Sequence, residues 1–563
     1  MSVAASRWRW AGRDAVAGVS ITALLVPAGV AYAQASGLPP VTGLYATILP
    51  LLAYAVFGPS RVLILGPDSA LIALISTTVL PLAHGDSGRA VELASILALL
   101  TGGVCLVAGA ARLGFVAELL SKPVRYGYIH GLVLVVVLEQ LPGLLGLSGS
   151  GDGVISSSAR LVTRVRQGSV DTSAALVGIL GLCAMLGLRR LAPRVPALLL
   201  VVAGASLAVG LGLTPHLATV GVLPQGLPAP ALPGVTPGEL GTLATAALAI
   251  ALMTFTDTSA LSRTLADREG RVVSPNRELL ALGAVNIASG LFRGFPVSSS
   301  GSRTPVAISS GARTRLAGVV AAAAIAVLLV AAPWLFRWLP RVALAAVVIS
   351  SMLILVDVRG LRRILVTAPS EFALLSVCFA GVVLLGVVPG VGIAVGASLM
   401  DVIRHSWRPH VAVLGRVPGM KGYHDIARHA NALQVPGLLL MRWDAPLFFA
   451  NAEHFRDHVH ALVRSAPPPL RWVVVAAEPI TDVDSTAADI LEALLVDFDA
   501  RGVTLAFAEM KGPVKDTLRL FRLFERVGAS RFFPTVGEAV RTYVETERVD
   551  WRDPLDVPAT RAS

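Results

Sequence analysis

The stretch FPVSSSGSRTPVAI, between two long apolar segments, contains the residue types best suited to chemistry in this chain. It has five hydroxyl side chains, two prolines, a glycine and a single cation, Arg303. Hydroxyls, free backbone N–H groups and a guanidinium are donors that bind small oxyanions. A guanidinium at membrane depth is costly and is usually functional or paired. We therefore predict an anion site here, with a structural ion pair or a loop outside the membrane as alternatives. Its candidate binding residues are Gly301, Ser302, Arg303 and Thr304.

A second polar interruption occurs much earlier, in LGPDSALIALI. Asp68 and Ser69 stand at the start of a short apolar segment, where both are suitable helix caps. An ionised carboxylate beside an anion site would repel the anion, and protonation would remove that repulsion. Asp68 is therefore either an N-cap or a proton-coupling group that also borders the anion site.

Two further residues are candidates because of their position in apolar runs. Asp257, in LMTFTDTSAL, could bind a proton or Na⁺, or it could only pair with an arginine. Tyr32, in VPAGVAYAQ, could line the cavity or pack in the core. Pro27 in the same stretch predicts a break in the first membrane helix.

The elements that must position these residues are membrane segments. Of the 563 residues, 54% are hydrophobic and 15% are charged. The apolar runs between residues 14 and 406 predict an α-helical polytopic membrane protein with fourteen segments. Two of them, near Ser69 and Thr304, are too short to cross as helices, and each is third in its half of the chain. This arrangement predicts inverted repeats at about 14–213 and 241–406.

The two short segments have a physical consequence. Half-helices that begin near mid-membrane leave unpaired N–H groups and partial positive charge at their N-termini. Irregular backbone at that depth persists only where it lines a cavity or is packed in protein. We therefore expect the two ends to form one positive pocket, with two kinked but complete helices as the alternative.

Arginine and lysine concentrate in alternate loops, which indicates membrane topology rather than nucleic-acid binding, despite a net charge of +11. The richer loops, together with Arg7, Arg9 and Arg13, mark the cytoplasmic side. We therefore expect a multi-pass protein of the inner, cytoplasmic membrane with both termini in the cytoplasm. The predicted parts are a cytoplasmic N-terminus (1–13), a transmembrane domain (14–408), a soluble domain (409–550) and a C-terminal tail (551–563).

The soluble part is distinguished by its charge, since 20 of the 36 acidic residues follow residue 410. Strand and helix patterns alternate there, which predicts a small α/β domain. The predicted strands are GLLLMRW, PLFFA, RWVVVAA and VTLAFAEM. Ser485 and Thr486 follow Asp484 at a predicted helix start, where a regulatory phosphate would be tolerated. A helix cap is the alternative for these residues.

No motif indicates an enzyme. The chain has no GxxxxGK[ST] loop, and its serine-rich stretches have no partnered histidine. Cys105, Cys183 and Cys378 lie in apolar runs without metal-ligand spacing or a disulfide framework. We therefore expect no catalytic residues, no metal and no cofactor.

With these motifs the sequence resembles the SulP anion transporters, bacterial relatives of the SLC26 proteins. The motifs are VPAGVAYAQASGLPPVTGLYATILPLLAYAVFGPSR, LGPDSAL and NRELLALGAVNIASGLFRGFPVSSSGSRT, while DAPLFFANAEHF and DVDSTAADIL resemble a STAS domain. The resemblance implies a seven-plus-seven inverted repeat with core and gate domains, usually as a homodimer. It places the anion between the half-helices, near Tyr32, Asp68, Ser69, Gly301, Ser302 and Arg303, and the coupling ion at Asp257.

The resemblance implies a secondary active transporter, with proton-coupled sulfate uptake by an elevator-like movement as the first expectation. The family often has Gln where this chain has Ala28, so one anion contact is missing. Sodium-coupled bicarbonate members typically have Thr at the position of Leu261 and lack an acid at the position of Asp68. Both differences favour protons over Na⁺.

Three alternatives remain open from the sequence. One is Na⁺-coupled bicarbonate uptake. Another is a membrane sensor whose STAS domain relays anion binding to a cytoplasmic regulatory partner. The third is a passive anion channel.

Overall fold

The structure is a computed structural model that describes residues 3–118, 121–147, 154–192, 196–214, 216–268, 270–301 and 303–554. The chain divides into two compact units, Met1–Ser398 and Leu399–Ser563. The first contains the apolar helices, and the second contains a mixed sheet with its helices.

Helices make up most of the first half of the membrane unit. A 3₁₀ turn at Ser69–Leu71 leads directly into its third helix. The elements are α1 (Val3–Ala35), α2 (Pro40–Phe57), β1 (Leu65–Gly66), α3 (Ile72–Ala83), α4 (Ser87–Ala110), α5 (Lys122–Leu144), α6 (Val154–Arg166), α7 (Thr172–Leu191) and α8 (Ala197–Gly210).

The second half repeats this order, with a two-residue strand before a short third helix. Its elements are α9 (Pro237–Arg268), α10 (Pro275–Leu291), β2 (Ser298–Ser299), α11 (Arg303–Ser309), α12 (Leu316–Ala331), α13 (Arg341–Leu353), α14 (Val358–Thr367), α15 (Pro369–Ala380) and α16 (Val387–Trp407). A π-helical turn, Gly381–Leu385, extends α15.

Among the described residues, setting aside the two amphipathic helices α6 and α14 leaves fourteen membrane segments, seven in each half. Within the described ranges, seven helical stretches are long and apolar enough to cross a membrane by themselves, and one of them, Arg341–Thr367, runs through α13 and α14. The short third segments are α3 with its preceding turn, and α11. The prediction of a polytopic helical membrane protein with fourteen segments is confirmed.

The helices pack in two groups. Helices α1, α2, α4, α9, α10 and α12 contact one another, and we call them, with α3 and α11, the core group. Helices α5, α7, α8, α13 and α15 also contact one another, and with α14 and α16 they form the gate group. Helix α1 of the core group packs against α13 of the gate group. A ligand held by the core group beside α13 therefore lies between the two groups.

A buried carboxylate joins four parts of the core group. Glu278, at the beginning of α10, is 1% exposed. It accepts hydrogen bonds from Tyr54 of α2 at 3.0 Å, from Ser60 in the loop before β1 at 2.5 Å, and from Ser262 of α9 at 2.6 Å. A buried carboxylate is costly unless it is satisfied. This cluster therefore holds the loop that leads to β1 against α9 and α10.

The expectation that Pro27 breaks the first helix was wrong. Helix α1 is continuous from Val3 to Ala35 with Pro27 inside it. Neighbouring helices can satisfy the backbone groups that a proline frees in a membrane helix. Here α2, α12 and α13 all pack against α1.

The second unit contains a six-stranded mixed sheet among its described residues, with strand order β4-β3-β5-β6-β7-β8. Strands β5 to β8 are parallel, and β3 is antiparallel to both its neighbours. The elements are β3 (Val411–Arg416), β4 (Tyr423–Asp425), β5 (Leu438–Trp443), α17 (Ala452–Ser465), β6 (Trp472–Ala476), α18 (Ser485–Ala500), β7 (Thr504–Ala508), α19 (Gly512–Leu520), α20 (Leu523–Val527), β8 (Phe532–Phe533) and α21 (Val536–Glu547).

Three of the four predicted strands are present as β5, β6 and β7, but PLFFA is not a strand. Of that stretch, only Leu447 forms a β-bridge, to Val483. The N–H of Phe448 binds the Asn451 side chain, and that of Phe449 binds Asp484. A turn before α17 thus uses the backbone groups that a strand would need.

Candidate anion-binding site

The two half-helices meet through a very short antiparallel pair. Leu65 pairs with Ser299, and Gly66 with Ser298. The N–H of Ser300 then donates to the carbonyl of Ile64 at 3.1 Å. The backbone groups of both extended segments are thereby satisfied within the protein, as a low-dielectric surrounding requires. Both short helices start from this one point.

Polar side chains behind the pair fix its position. Asn286 of α10 is fully buried and holds Val297 from both sides: it accepts from the N–H at 2.9 Å and donates to the carbonyl at 3.2 Å. Thr304 accepts from the N–H of Ile64 at 3.1 Å. Thr258 of α9 donates to the hydroxyl of Ser299 at 2.9 Å. The crossing point is therefore attached to α9, α10 and α11.

Arg303 is the first residue of α11 and is 3% exposed. Its Nη2 donates to the carbonyl of Pro67 at 2.5 Å and lies 3.7 Å from Oδ2 of Asp68. The guanidinium of one half-helix thus reaches the residues that precede the other. The distance to Asp68 is longer than that of a charge-assisted hydrogen bond, so the carboxylate neutralises the guanidinium only in part.

Two buried donors at this point have no hydrogen-bond partner among the described residues, Nη1 of Arg303 and the hydroxyl of Ser298. A side chain at Gly66 would lie 3.7 Å from that Nη1, so the glycine leaves space beside it. Buried polar groups are nearly always satisfied, and an exception requires an explanation. An oxyanion would accept hydrogen bonds from both groups.

The other predicted residues on the half-helices occupy different roles. Asp68 is the N-cap of the first turn and accepts from the N–H of Ala70 at 2.9 Å, while Ser69 is the first residue of that turn and is buried. Gly301 is exposed, and a side chain there would contact nothing. Thr304, predicted as an anion-binding residue, lies inside α11, and its hydroxyl accepts from the N–H of Ile64. Ser302 lies outside the described residues.

Tyr32 borders the same point from α1. It is buried, and its hydroxyl lies within interaction range of Ser69, Ser351 and the Arg303 guanidinium. Ser351 belongs to α13 of the gate group, which also contacts the turn at Ser69–Leu71. Helix α13 of the gate group therefore forms one wall of the pocket between the half-helices.

Asp257 lies in a separate small pocket. It is half-buried on α9, and Arg125 and Tyr128 of α5 line the same space. Tyr128 donates to the carbonyl of Ala70 at 3.4 Å and lies within electrostatic range of both Asp257 and Asp68. The two candidate coupling residues are thus brought to the same face of the gate helix α5.

The second unit contains the predicted modification residues. Ser485 and Thr486 are both exposed in the first turn of α18. Asp484 caps this helix by accepting from the N–H of Ala487 at 2.9 Å. Within the part of the chain that the structure describes, no group of three or more His, Cys, Asp and Glu side chains could hold a metal ion.

Sequence reasoning missed three polar residues at the site: Thr258, Asn286 and Ser351. Thr258 follows Asp257 directly, so the DTS run in α9 carried a signal that was not used. Asn286 is an amide within an apolar helix, which is a detectable exception. Nothing near Ser351 in the sequence links it to the half-helices, because only packing brings α13 to them.

The model of the sulfate permease family matches residues 12–378, and that of the STAS domain matches residues 429–539. A probable sulfate transporter of Mycobacterium tuberculosis is 40% identical over 95% of this chain and 96% of its own length. Sulfate transporter 4.1 of Arabidopsis thaliana, a chloroplastic protein, is 30% identical over 95% of this chain and 81% of its own.

Solved structures show the same fold. The structure of SLC26A9 superposes with a TM-score of 0.87 at 20% identity, covering 96% of this chain and 91% of that one. The transmembrane domain of the cyanobacterial bicarbonate transporter BicA gives a TM-score of 0.60 at 22% identity, covering 69% of this chain and 97% of that one.

Proposed function

This chain belongs to the sulfate permease family of membrane anion transporters, and we propose that it takes up sulfate in symport with protons. Membership in a family of transporters confirms the expectation that the chain is not an enzyme. The proposal has three parts: the identity of the anion, the coupling ion and the transport movement. Each part has its own support.

The observation that carries the proposal is that Nη1 of buried Arg303 and the hydroxyl of Ser298 both have no hydrogen-bond partner in the part of the chain that the structure describes. Two half-helices add partial positive charge at the same point. A tetrahedral dianion has enough acceptor oxygens for these donors, and the dipoles favour its charge. The names of the sulfate transporters among the relatives favour sulfate over other oxyanions.

Proton coupling is supported by the two carboxylates that face α5. Asp68 lies between the guanidinium and the helix start, so its negative charge opposes that of an arriving anion. Protonation of Asp257 or Asp68 would lower that repulsion and would make anion binding favourable when protons are abundant. Because protonation favours anion binding and anion binding favours protonation, the anion and the proton would be taken up together.

We assign the movement to the core group. The two half-helices and their strands contact mostly helices of the core group, α1, α2, α4 and α9, while α13 supplies a wall through Ser351. A core group that slides along the gate group would carry the anion and its donors together, which is an elevator-like movement.

The proposal also covers the membrane location, the oligomeric state and the partners of this protein. We place it in the inner membrane with both termini in the cytoplasm, because the arginine-rich loops mark that side. We propose a homodimer and a cytoplasmic regulatory partner for the STAS domain. Phosphorylation of exposed Ser485 or Thr486, at the start of α18, would then add charge at the surface for that partner.

The test is uptake into proteoliposomes of labelled sulfate, bicarbonate and dicarboxylates, each at two pH values with and without Na⁺. We expect sulfate uptake that follows a pH gradient, and its loss in Arg303→Ala. Arg337→Ala is the control, since this arginine stacks on Trp338 at 4.4 Å and is exposed. Normal uptake of every anion by correctly inserted Arg303→Ala protein would refute the site.

Other outcomes separate the alternatives. Bicarbonate uptake driven by Na⁺ would identify the chain as the Na⁺-coupled bicarbonate symporter, the first of the alternatives. Flux that follows voltage alone would indicate a channel. Anion binding without flux, with output lost when residues 411–563 are deleted, would indicate a sensor.

A further inference from the structure

A second cavity lies at the C-terminal end of α1. Its volume is about 480 Å³. It is enclosed by the last turn of α1, the end of α5, the beginnings of α7 and α13, and residues 216–218. We call it the far-side cavity. Cavities of a few hundred Å³ with convergent polar groups are the usual ligand sites of proteins.

Polar side chains from both helix groups line the far-side cavity. Gln34 comes from α1 of the core group and Gln140 from α5 of the gate group. The amide oxygen of Gln34 is buried and has no hydrogen-bond partner among the described residues. Because the oxygen and nitrogen of an amide can exchange places, this end of Gln34 can present a donor to an anion.

Two basic side chains, Arg341 and His216, line the same space and are held beside each other. A short β-bridge joins Thr219 to Pro340, and the N–H of Arg341 donates to Ala218 at 2.9 Å. Nε of Arg341 donates to the carbonyl of Thr219 at 3.1 Å. This anchor uses only Nε and leaves the two terminal nitrogens of the guanidinium without a carboxylate partner among the described residues.

The acid that lines the cavity is already engaged. Oδ1 of Asp171, the N-cap of α7, accepts from the N–H of Ser173 at 2.9 Å, from its hydroxyl at 2.6 Å and from the N–H of Ala174 at 3.1 Å. The charged and titratable groups that face His216 are therefore Asp171 from α7 and Arg341 from α13, while α1 and α5 contribute neutral amides. Because Asp171 already accepts three hydrogen bonds, the guanidinium of Arg341 is the charged group that can attract a ligand into the cavity.

The far-side cavity stops short of the central site. Ala31, which lines it, directly precedes Tyr32. On α13, Ala345 lines it, and Ser351 lies six residues further on, which is about 9 Å along a helix. Buried Val347 and Val348 lie between them. The lining of the cavity therefore ends one residue before Tyr32 on α1 and six residues before Ser351 on α13.

We propose that the far-side cavity captures a small oxyanion before it reaches Arg303, with Arg341 as the attracting charge and Gln34 as a hydrogen-bonding group. This inference rests on the proposed function. With the N-terminus in the cytoplasm, the cavity faces outward. A guanidinium that lines a partly enclosed space raises the local anion concentration and the rate of association.

The test compares two arginines. Arg341→Gln removes the charge inside the cavity, and Arg337→Gln removes a neighbouring charge that does not line it. In membrane vesicles of both orientations we expect Arg341→Gln to raise KM for sulfate about threefold to tenfold, with an unchanged maximal rate. KM should rise only when sulfate is presented on the side of the membrane that the cavity faces. The KM of Arg337→Gln should equal that of the unmodified protein.

A binding measurement is independent of transport. With Cys183 replaced by Ser, the remaining native cysteines are buried, and His216→Cys provides a target for a charged thiol reagent. Sulfate should slow labelling at least about twofold, and adding Arg341→Gln should abolish that protection. Absence of protection, or equal KM in the Arg341→Gln and Arg337→Gln proteins, would overturn the capture site. Protection in a protein that moves no anion would refute the proposed transport and leave the capture site standing.

Discussion

Arg303 of the second half-helix donates to the carbonyl of Pro67, immediately before the first half-helix, across 2.5 Å. The two residues are 236 positions apart in the chain. One guanidinium therefore satisfies a backbone oxygen at the crossing point and keeps Nη1 unpartnered beside it. The arrangement makes Arg303 both a structural link and the main candidate for anion binding.

The shape of the guanidinium can be tested with Arg303→Lys. An ammonium keeps the charge but cannot bind Pro67 and an anion through a planar fork. We expect sulfate uptake to fall at least about tenfold, with a smaller loss of thermal stability than in Arg303→Ala. Initial uptake rates and melting temperatures in detergent would check this. Unchanged uptake in Arg303→Lys would show that only the charge matters.

The link between the half-helices can be tested at Thr304. Thr304→Val keeps the side-chain shape but removes the acceptor for the N–H of Ile64. A buried unsatisfied N–H costs about 1–3 kcal/mol, so we expect lower stability and a raised KM for sulfate. Thr304→Ser retains the hydroxyl and is the matched control. Equal stability of the Val and Ser proteins would contradict the role of this hydrogen bond.

If Asp257 couples uptake to protons, its substitution should change the response of sulfate uptake to a pH gradient rather than abolish sulfate binding. Asp257→Asn resembles the protonated state, so sulfate should still bind while uptake no longer responds to a pH gradient. Asp257→Glu should keep the response. Counterflow and gradient-driven uptake, measured together, separate the two effects. A pH response that persists in Asp257→Asn would move the coupling role to Asp68.

The buried cluster around Glu278 predicts a graded loss of stability. Glu278→Gln retains the shape but turns one acceptor into a donor that faces the hydroxyls of Tyr54, Ser60 and Ser262. We expect it to destabilise the protein by about 1–3 kcal/mol, and Tyr54→Phe by about 1 kcal/mol. Thermal unfolding in detergent would rank the two variants. The reverse order would contradict a carboxylate-centred cluster.

We expect the STAS domain to become less stable in acid because of His454. Burial, with the nearby His458 and Arg408, lowers the pKa of His454 below its ordinary value. The unfolded chain therefore binds this proton more readily, so the domain is less stable as pH falls through about 6.5 and regains that stability at higher pH. His454→Gln should flatten this dependence. Calorimetry at pH 6.0 and 7.5 would measure it, with a protein truncated after residue 408 identifying the transition of the domain.

Much of the membrane fold could be predicted because hydrocarbon imposes simple requirements. A span must be apolar and long, so the fourteen segments were recognised, including the two that are too short. The site was less predictable. Arg303 stood out as a charge among apolar runs, whereas Ser351 is an ordinary serine in a helix, and only the packing of α13 brings it to Tyr32. The error at Pro27 had the same origin, because neighbouring helices support α1 there.

By itself, the sequence determined the membrane class, the two interrupted segments and the presence of a cation beside them. These properties follow from composition and spacing, which act locally along the chain. Only the tertiary structure decided that Leu65 pairs with Ser299, that Arg303 reaches Pro67, and that Asp68 and Asp257 face the same gate helix. Such relationships depend on backbone hydrogen bonds and side-chain packing between distant segments, which no local pattern contains.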